Sequence, residues 1–180
     1  MTPEHLRQFK CSGVHYGEVA MLDIYTVSFF GHRQIERFMD AERHLEELIR
    51  ELLAQKEYVE FLVGRNGEFD QMVASAVLRL KRSVRDDNSA LVLVLPYLTA
   101  EFSNNQDSFE SYYDNVEICG AAADKHFKSA IQVRNRQMVD RSDLVICCVE
   151  RKSGGAYQTM QYAERQGKKI VNVAHNSETI

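Results

Sequence analysis

The segment that most constrains this chain is residues 90–95, ALVLVL, an unbroken apolar run closed by Pro96. A strand buried on one face alternates apolar with polar side chains. One that is apolar throughout is covered on both faces, as strands of a parallel sheet are. Pro96 has no amide to offer a further ladder bond and ends the run. Comparable runs stand at 24–30 (IYTVSFF), 58–63 (YVEFLV), 143–149 (DLVICCV) and 170–173 (IVNV), with a shorter one at 116–119. Most are rich in the β-branched and aromatic residues that strands favour. Helical patterns lie between them. Over 34–55, Ile35, Phe38, Met39, Leu45, Leu48, Ile49, Leu52 and Leu53 recur three and four apart; over 68–84, Phe69, Met72, Val73, Ala76, Val77 and Leu80 do the same. Each stripe is one buried helix face. Residues 128–140 and 154–166 read as two more helices, the second stopped by Gly167, and residues 99–111 as a long irregular stretch. The alternation predicts an α/β protein: three layers, a mostly parallel sheet with helices on both faces.

At 180 residues the chain can bury a real core. Residues 23–180 read as one Rossmann-like domain, and 1–22 as a poorly patterned N-terminal extension. Met21, just before the first strand, suggests an upstream start codon as the origin of that extension. No apolar h-region opens the chain, and no apolar stretch approaches the ~20 residues of a membrane helix. Cys11, Cys119, Cys147 and Cys148 form no C-x-x-C pair and have no histidine at ligand spacing, so no metal is expected. Cys147 and Cys148 sit in an apolar run and read as buried free thiols, which fits a cytoplasmic protein. The net charge of −4 gives no general attraction to polyanions. That sum leaves room for a local basic patch, but it removes the easy argument for nucleic acid, which is not the expected partner, and no membrane is expected either. A small nucleotide-like molecule is, and no cofactor.

Ligands of open α/β sheets bind beyond the carboxyl ends of the strands, so the turns after each strand carry the functional reading. The first strand is followed by Gly31-His32-Arg33, a tight turn with a histidine and a guanidinium expected at the N-terminus of the next helix, where anions are favoured. The second is followed by Gly64-Arg65-Asn66-Gly67-Glu68-Phe69-Asp70. Two glycines there free the backbone to approach a ligand, and Asp70 is placed either to complement the helix dipole or to accept from a ribose hydroxyl. The penultimate strand leads into Arg151-Lys152-Ser153-Gly154-Gly155, with Thr159 beyond: bare amides, hydroxyls and two cations, a composition suited to phosphate. It is neither a Walker loop nor G-x-G-x-x-G. The preceding helix carries Arg134, Arg136 and, just after it, Arg141. Periodicity does not decide whether Arg134 points to the same crevice.

TVSFFGHR, VGRNGEFDQMVASAV and the segment from RNRQMVDRSDLVICCV to SGGAYQTMQYAERQGKKIVNV resemble the SLOG family of Rossmann-like proteins. These are relatives of the LOG phosphoribohydrolases and of the DNA-processing protein DprA (Smf). The resemblance runs from about Asp23 to Val173 and implies a pocket for a nucleotide or its derivative, with the S-G-G loop at the phosphate. The LOG enzymes carry P-G-G-x-G-T-x-x-E after an arginine that Arg134 matches by its spacing to Met138. Here the segment holds one extra residue before Thr159, and Tyr162 stands where the glutamate would.

The leading expectation is therefore a sensor or binding module for a nucleotide-like ligand. Gly31, Arg33, Gly64, Gly67, Ser153, Gly154, Gly155 and Thr159 would grip phosphate and sugar, with Asp70 on the ribose and His32, Arg65 and Arg134 completing the site. The alternative is LOG-like N-glycoside hydrolysis of a nucleoside monophosphate, with Asp70 and Arg134 as catalytic candidates. The missing glutamate ranks it below binding, because departure of the base leaves a cationic centre that wants a nearby anion. A second alternative is DprA-like binding of single-stranded nucleic acid, which needs a basic groove with stacking aromatics. Tyr97, Phe102, Phe109, Tyr112 and Tyr113 do cluster, but among Glu101, Asp107, Glu110 and Asp114, which counts against it. The apolar helix stripes are wide enough for a homo-oligomer interface.

Overall fold

The computed structural model describes residues 21–122 and 125–174; the expected N-terminal extension, but for its last two residues, lies outside them. Six strands, β1 (Ile24–Gly31), β2 (Tyr58–Val63), β3 (Ser89–Leu95), β4 (Asn115–Ile118), β5 (Leu144–Cys148) and β6 (Lys169–Asn172), form one sheet. Its order is β4-β3-β2-β1-β5-β6 and every neighbouring pair is parallel. The connections are α1 (Phe38–Gln55), α2 (Glu68–Ser83), the short α3 (Ala100–Asn104) and α4 (Gln106–Tyr112), then α5 (Phe127–Asp140) and α6 (Gly154–Arg165). This is a Rossmann-like α/β fold.

Strand parity sorts the core into two layers. Val27, Phe29, Phe61, Leu91, Leu93 and Ile146 face α1 and α2, where Leu45, Ile49, Phe69 and Val73 meet them. Phe30, Leu62, Val92, Val94 and Val145 face the other way, onto Met138 and Val139 of α5 and Ala163 of α6. The chain steps outward from β1 to β4, then returns on α5 to place β5 on the opposite side of β1. That reversal parts the loops after β1 and β5 and opens a crevice between them. Asp143 fixes the other end of this junction: its Oδ2 accepts from Thr26 N–H at 2.8 Å, and its own N–H donates to Thr26 O at 2.8 Å. Cys147 and Cys148 are fully buried, and burial pushes both thiols up to about 12, so neither is a thiolate at neutral pH. Gly167, at φ 66°, turns the chain off the end of α6 as expected. Among the described residues no helix is long and apolar enough to cross a membrane.

Two segments differ from the sequence expectation. The helix expected from residue 34 begins at Phe38. The amides of Ile35, Glu36 and Arg37 instead meet carboxylates of Glu68 at the start of α2 and of Glu150 in the loop after β5, a tertiary capture that helical periodicity does not report. Residues 99–111 are also not irregular. Thr99 Oγ1 accepts from Phe102 N–H at 3.1 Å to cap α3, and α4 follows directly. Helices this short show no repeat; each is pinned by one buried ring, Phe102 and Phe109, in edge contact at 5.3 Å.

Candidate functional site

A cavity of about 860 Å³ occupies the crevice at the C-terminal edge of the sheet. Gly31, His32 and Arg33 line it from the β1 loop, Gly64, Gly67 and Asp70 from the β2 loop, Arg134 from α5, and Gly154 and Gly155 from the start of α6. The two glycines at the strand ends act differently. A Cβ on Gly31 would lie 2.4 Å from Cβ of the buried Phe69, so its bareness lets α2 pack on β1. A Cβ on Gly64 would lie 2.7 Å from Arg134 Nη1 and 2.9 Å from Asp70 Oδ2, so its bareness lets those two side chains reach the cavity wall.

Three residues expected in the site stand elsewhere. Arg65, on the β2 loop, is outside the cavity lining, over the Phe109 ring and paired with Glu101 at 2.6 Å. Ser153 is exposed outside the cavity wall and makes no side-chain cap on α6. Thr159 is buried; its hydroxyl donates to Gly155 O at 2.9 Å and accepts from Asn135 Nδ2 at 3.0 Å, so it holds α6 against α5.

The beginnings of α1 and α6 present unlike surfaces. Gly31-His32-Arg33 is not at a helix start, contrary to expectation, and the amides just before α1 are occupied. Glu150 Oε1 accepts from Glu36 N–H at 3.0 Å and from Arg37 N–H at 3.2 Å, and Glu68 Oε2 accepts from Ile35 N–H at 2.9 Å. At α6, Gly154 takes φ 85°, a left-handed conformation suited to glycine, and Gly154, Gly155 and Ala156 face the cavity. The first turn of a helix has amides without intrahelical partners and the positive end of the dipole, the two ingredients of an anion site.

Arg134 settles the open question of its direction. It is only 5% exposed, its Nη1 donates to Val94 O at 2.9 Å, and its Nε is buried without a hydrogen-bond partner among the described residues. Asp70 Oδ2 accepts from Asn66 N–H at 2.8 Å. Burial raises the Asp70 carboxyl above its ordinary value, while the charge of Arg134 and the Asn66 hydrogen bond work the other way. His32 is buried, and its Nε2 accepts from Arg151 N–H at 3.2 Å, tying the β1 loop to the loop before α6. Sequence reasoning missed part of the wall: Phe127, Lys128 and Gln132, all on α5, with Gln132 Nε2 donating to Gln158 Oε1 at 3.0 Å. Their spacing is helical, but α5 buries one flank on the sheet and turns another to the cavity, so no single apolar stripe marks it. Arg136 also lines the cavity, whereas Arg141 leaves it to pair with Glu117 at 2.7 Å. Among the described residues, the cavity thus carries Arg33, Lys128, Arg134, Arg136 and Arg151 against one carboxylate, Asp70.

An all-parallel sheet with a cationic cavity at its point of reversal places the chain among Rossmann-like α/β proteins. Among solved structures it is similar to DNA processing protein A from Helicobacter pylori, at TM-score 0.57 and 18% identity over 81% of this chain and 63% of that one. It is also similar to DNA processing protein A (DprA) from Streptococcus pneumoniae, at TM-score 0.58 and 16% identity over 82% of this chain and 49% of that one. The chain therefore spans less than two thirds of the length of either structure, and about half of the second. No family model matches it, and no curated protein does.

The H. pylori protein binds single-stranded DNA, and this likeness overturns the expectation that nucleic acid is not a partner. Two physical reasons explain the error. Bulk charge was the wrong measure, because a chain of net charge −4 still gathers five cations around one cavity. Most rings of the acidic aromatic segment, Phe102, Phe109 and Tyr113, are buried, while Phe127, which the sequence reading passed over, is half-exposed at the cavity, 6.1 Å from Tyr97.

Proposed function

We propose that this protein binds single-stranded nucleic acid by holding a backbone phosphate between the first turn of α6 and Arg134. The observation that carries the reading is Arg134 itself: a buried guanidinium, held by Val94 O, in the wall of the cavity that Gly154 and Gly155 share. A phosphate there would take the first amides of α6 and a charge-assisted bond from Arg134. Arg33, Arg136 and Arg151 would draw in the adjoining backbone. Phe127 offers a ring on which a base can stack, a contact that every base can make. The likeness to a single-strand DNA binder of the same fold supports this reading. Phosphate contacts hold the strand without reading its sequence, and the affinity falls as salt rises because counterions are released.

Fluorescence anisotropy with a labelled single-stranded oligonucleotide tests it. Arg134→Ala is expected to weaken binding by roughly tenfold or more, the size of a lost hydrogen bond to a charged group. No binding by the unaltered protein at low salt would overturn the reading.

A free nucleotide or nucleotide derivative is the second reading. It is favoured by the cavity's volume, within the range of small-molecule sites, and by Asp70 beside Arg134, where a ribose hydroxyl would find an acceptor. Thermal shifts with AMP, ADP-ribose and NAD separate it from the first. LOG-like hydrolysis draws less support: Tyr162, in place of the glutamate, donates its hydroxyl to Asp140 at 2.8 Å, which leaves Asp70 as the one carboxylate among the described cavity residues to stabilise a cationic sugar.

A further inference from the structure

A second cavity, of about 630 Å³, lies behind the β2 loop, and Gly64, Asn66 and Asp70 line both it and the first. The two hollows are back to back, with that loop as their common wall. Their chemistry is opposite. The cation of the second wall is Arg65, already paired with Glu101 at 2.6 Å and lying over the Phe109 ring at 4.4 Å. With Glu101 and Asp70 both present, a phosphate would meet more negative than positive charge there.

A neutral planar group with hydrogen-bonding edges fits better. Tyr112 is 42% exposed at the rim, and Tyr113, buried behind it, meets it edge-on at 4.9 Å. The ring is thus backed and still offers surface for stacking. Glu101 has oxygens to accept from an exocyclic amino group, as carboxylates do from cytosine N4, and Arg65 stands next to it as a donor.

We propose that this second cavity is a nucleobase subsite, which takes the base of a nucleotide neighbouring the one whose phosphate is held at α6, and which favours amino-bearing bases over thymine. The inference rests on the single-strand reading of the first cavity. Its walls are the β2 loop, the first half of α2, Glu101 of α3, and α4 with Tyr113. The strand would cross the Gly64–Gly67 loop, phosphate on one side and base on the other.

The test compares labelled oligo(dC) and oligo(dT) of equal length by anisotropy, on the full chain, with melting curves as a folding control. The unaltered protein is expected to bind oligo(dC) several-fold more tightly. Tyr112→Ala is expected to weaken both by about tenfold, as loss of one base stack does. Glu101→Gln is expected to erase the preference for oligo(dC) while leaving oligo(dT) binding in place. Equal affinity for the two oligonucleotides, unmoved by either variant, would overturn the subsite and leave the α6 reading standing. Failure of the unaltered protein to bind either oligonucleotide would instead remove the reading on which the subsite rests.

Discussion

Two helix beginnings border the same crevice, and the protein treats them in opposite ways. Before α1 it supplies its own anions: Glu150 receives the amides of Glu36 and Arg37, and Glu68 that of Ile35. At α6 the N-cap Ser153 makes no side-chain cap bond, the first two residues are glycines, and a buried arginine stands in the same cavity wall. Glycine and nearby cations mark both in the sequence. The difference lies in where the carboxylates arrive from, which is tertiary. The loop that closes α1 with Glu150 is also the loop that leads into α6, so one short connection seals the first terminus and leaves the second to a ligand.

The largest expected effect tests whether the α1 side is structural. Gly31→Ala would drive a Cβ to 2.4 Å from Phe69, which is fully buried. Overpacking of this kind costs about 3 kcal/mol, and a fall in melting temperature of roughly 6–12 °C follows for a domain of this size. A melt within a degree or two of the unaltered protein would contradict the role given to Gly31.

Glu150→Ala comes next. It frees the amides of Glu36 and Arg37, which solvent then reaches, so the loss is expected to be about 1 kcal/mol, as for removal of a helix cap. Oligonucleotide affinity should change by less than about twofold, within the ±0.5 kcal/mol of a peripheral substitution. Strong loss of binding with unchanged stability would reverse the comparison and make the α1 side the receptor.

The smallest effect concerns Asp70. Burial raises its carboxyl in the folded protein above the ordinary carboxylate value. The folded state then holds the proton more tightly than the unfolded state does, and the stability this gives is complete below the unfolded value and lost as pH rises through the folded one. Asp70→Asn does not titrate, so the stability of the unaltered protein relative to this variant should fall as pH rises across that window. Oligonucleotide binding should weaken over the same window in the unaltered protein and less so in Asp70→Asn, because an ionised Asp70 opposes a phosphate. A constant difference in melting temperature between the two proteins would remove Asp70 from the electrostatics of the cavity.

The fold was largely legible because each strand is its own signal. ALVLVL states burial on both faces, IYTVSFF announces a strand by its β-branched and aromatic residues, and the observed β2 has the predicted bounds, Tyr58–Val63. The start of α1 was not, since the carboxylate of Glu150 that captures Glu36 lies 114 residues away in sequence. Much of the candidate site could be read from the loops, because glycines after strands are visible in the sequence and the topology brings them together. Thr159 was misplaced because its hydroxyl turns inward to Gly155 O, a direction its position in the helix does not announce. Phe127 and Lys128 were missed because α5 has two occupied flanks. The nucleic-acid expectation failed on charge: a sum over the chain says nothing of how five cations converge.

Amide chemical-shift mapping during titration with a single-stranded oligonucleotide tests the central claim most directly. The strongest changes are expected at the amides of Gly155, Ala156 and Tyr157, with Arg134 and Phe127 following and Glu36 and Arg37 almost still. Changes centred on Glu36 and Arg37, with the start of α6 unmoved, would contradict that claim.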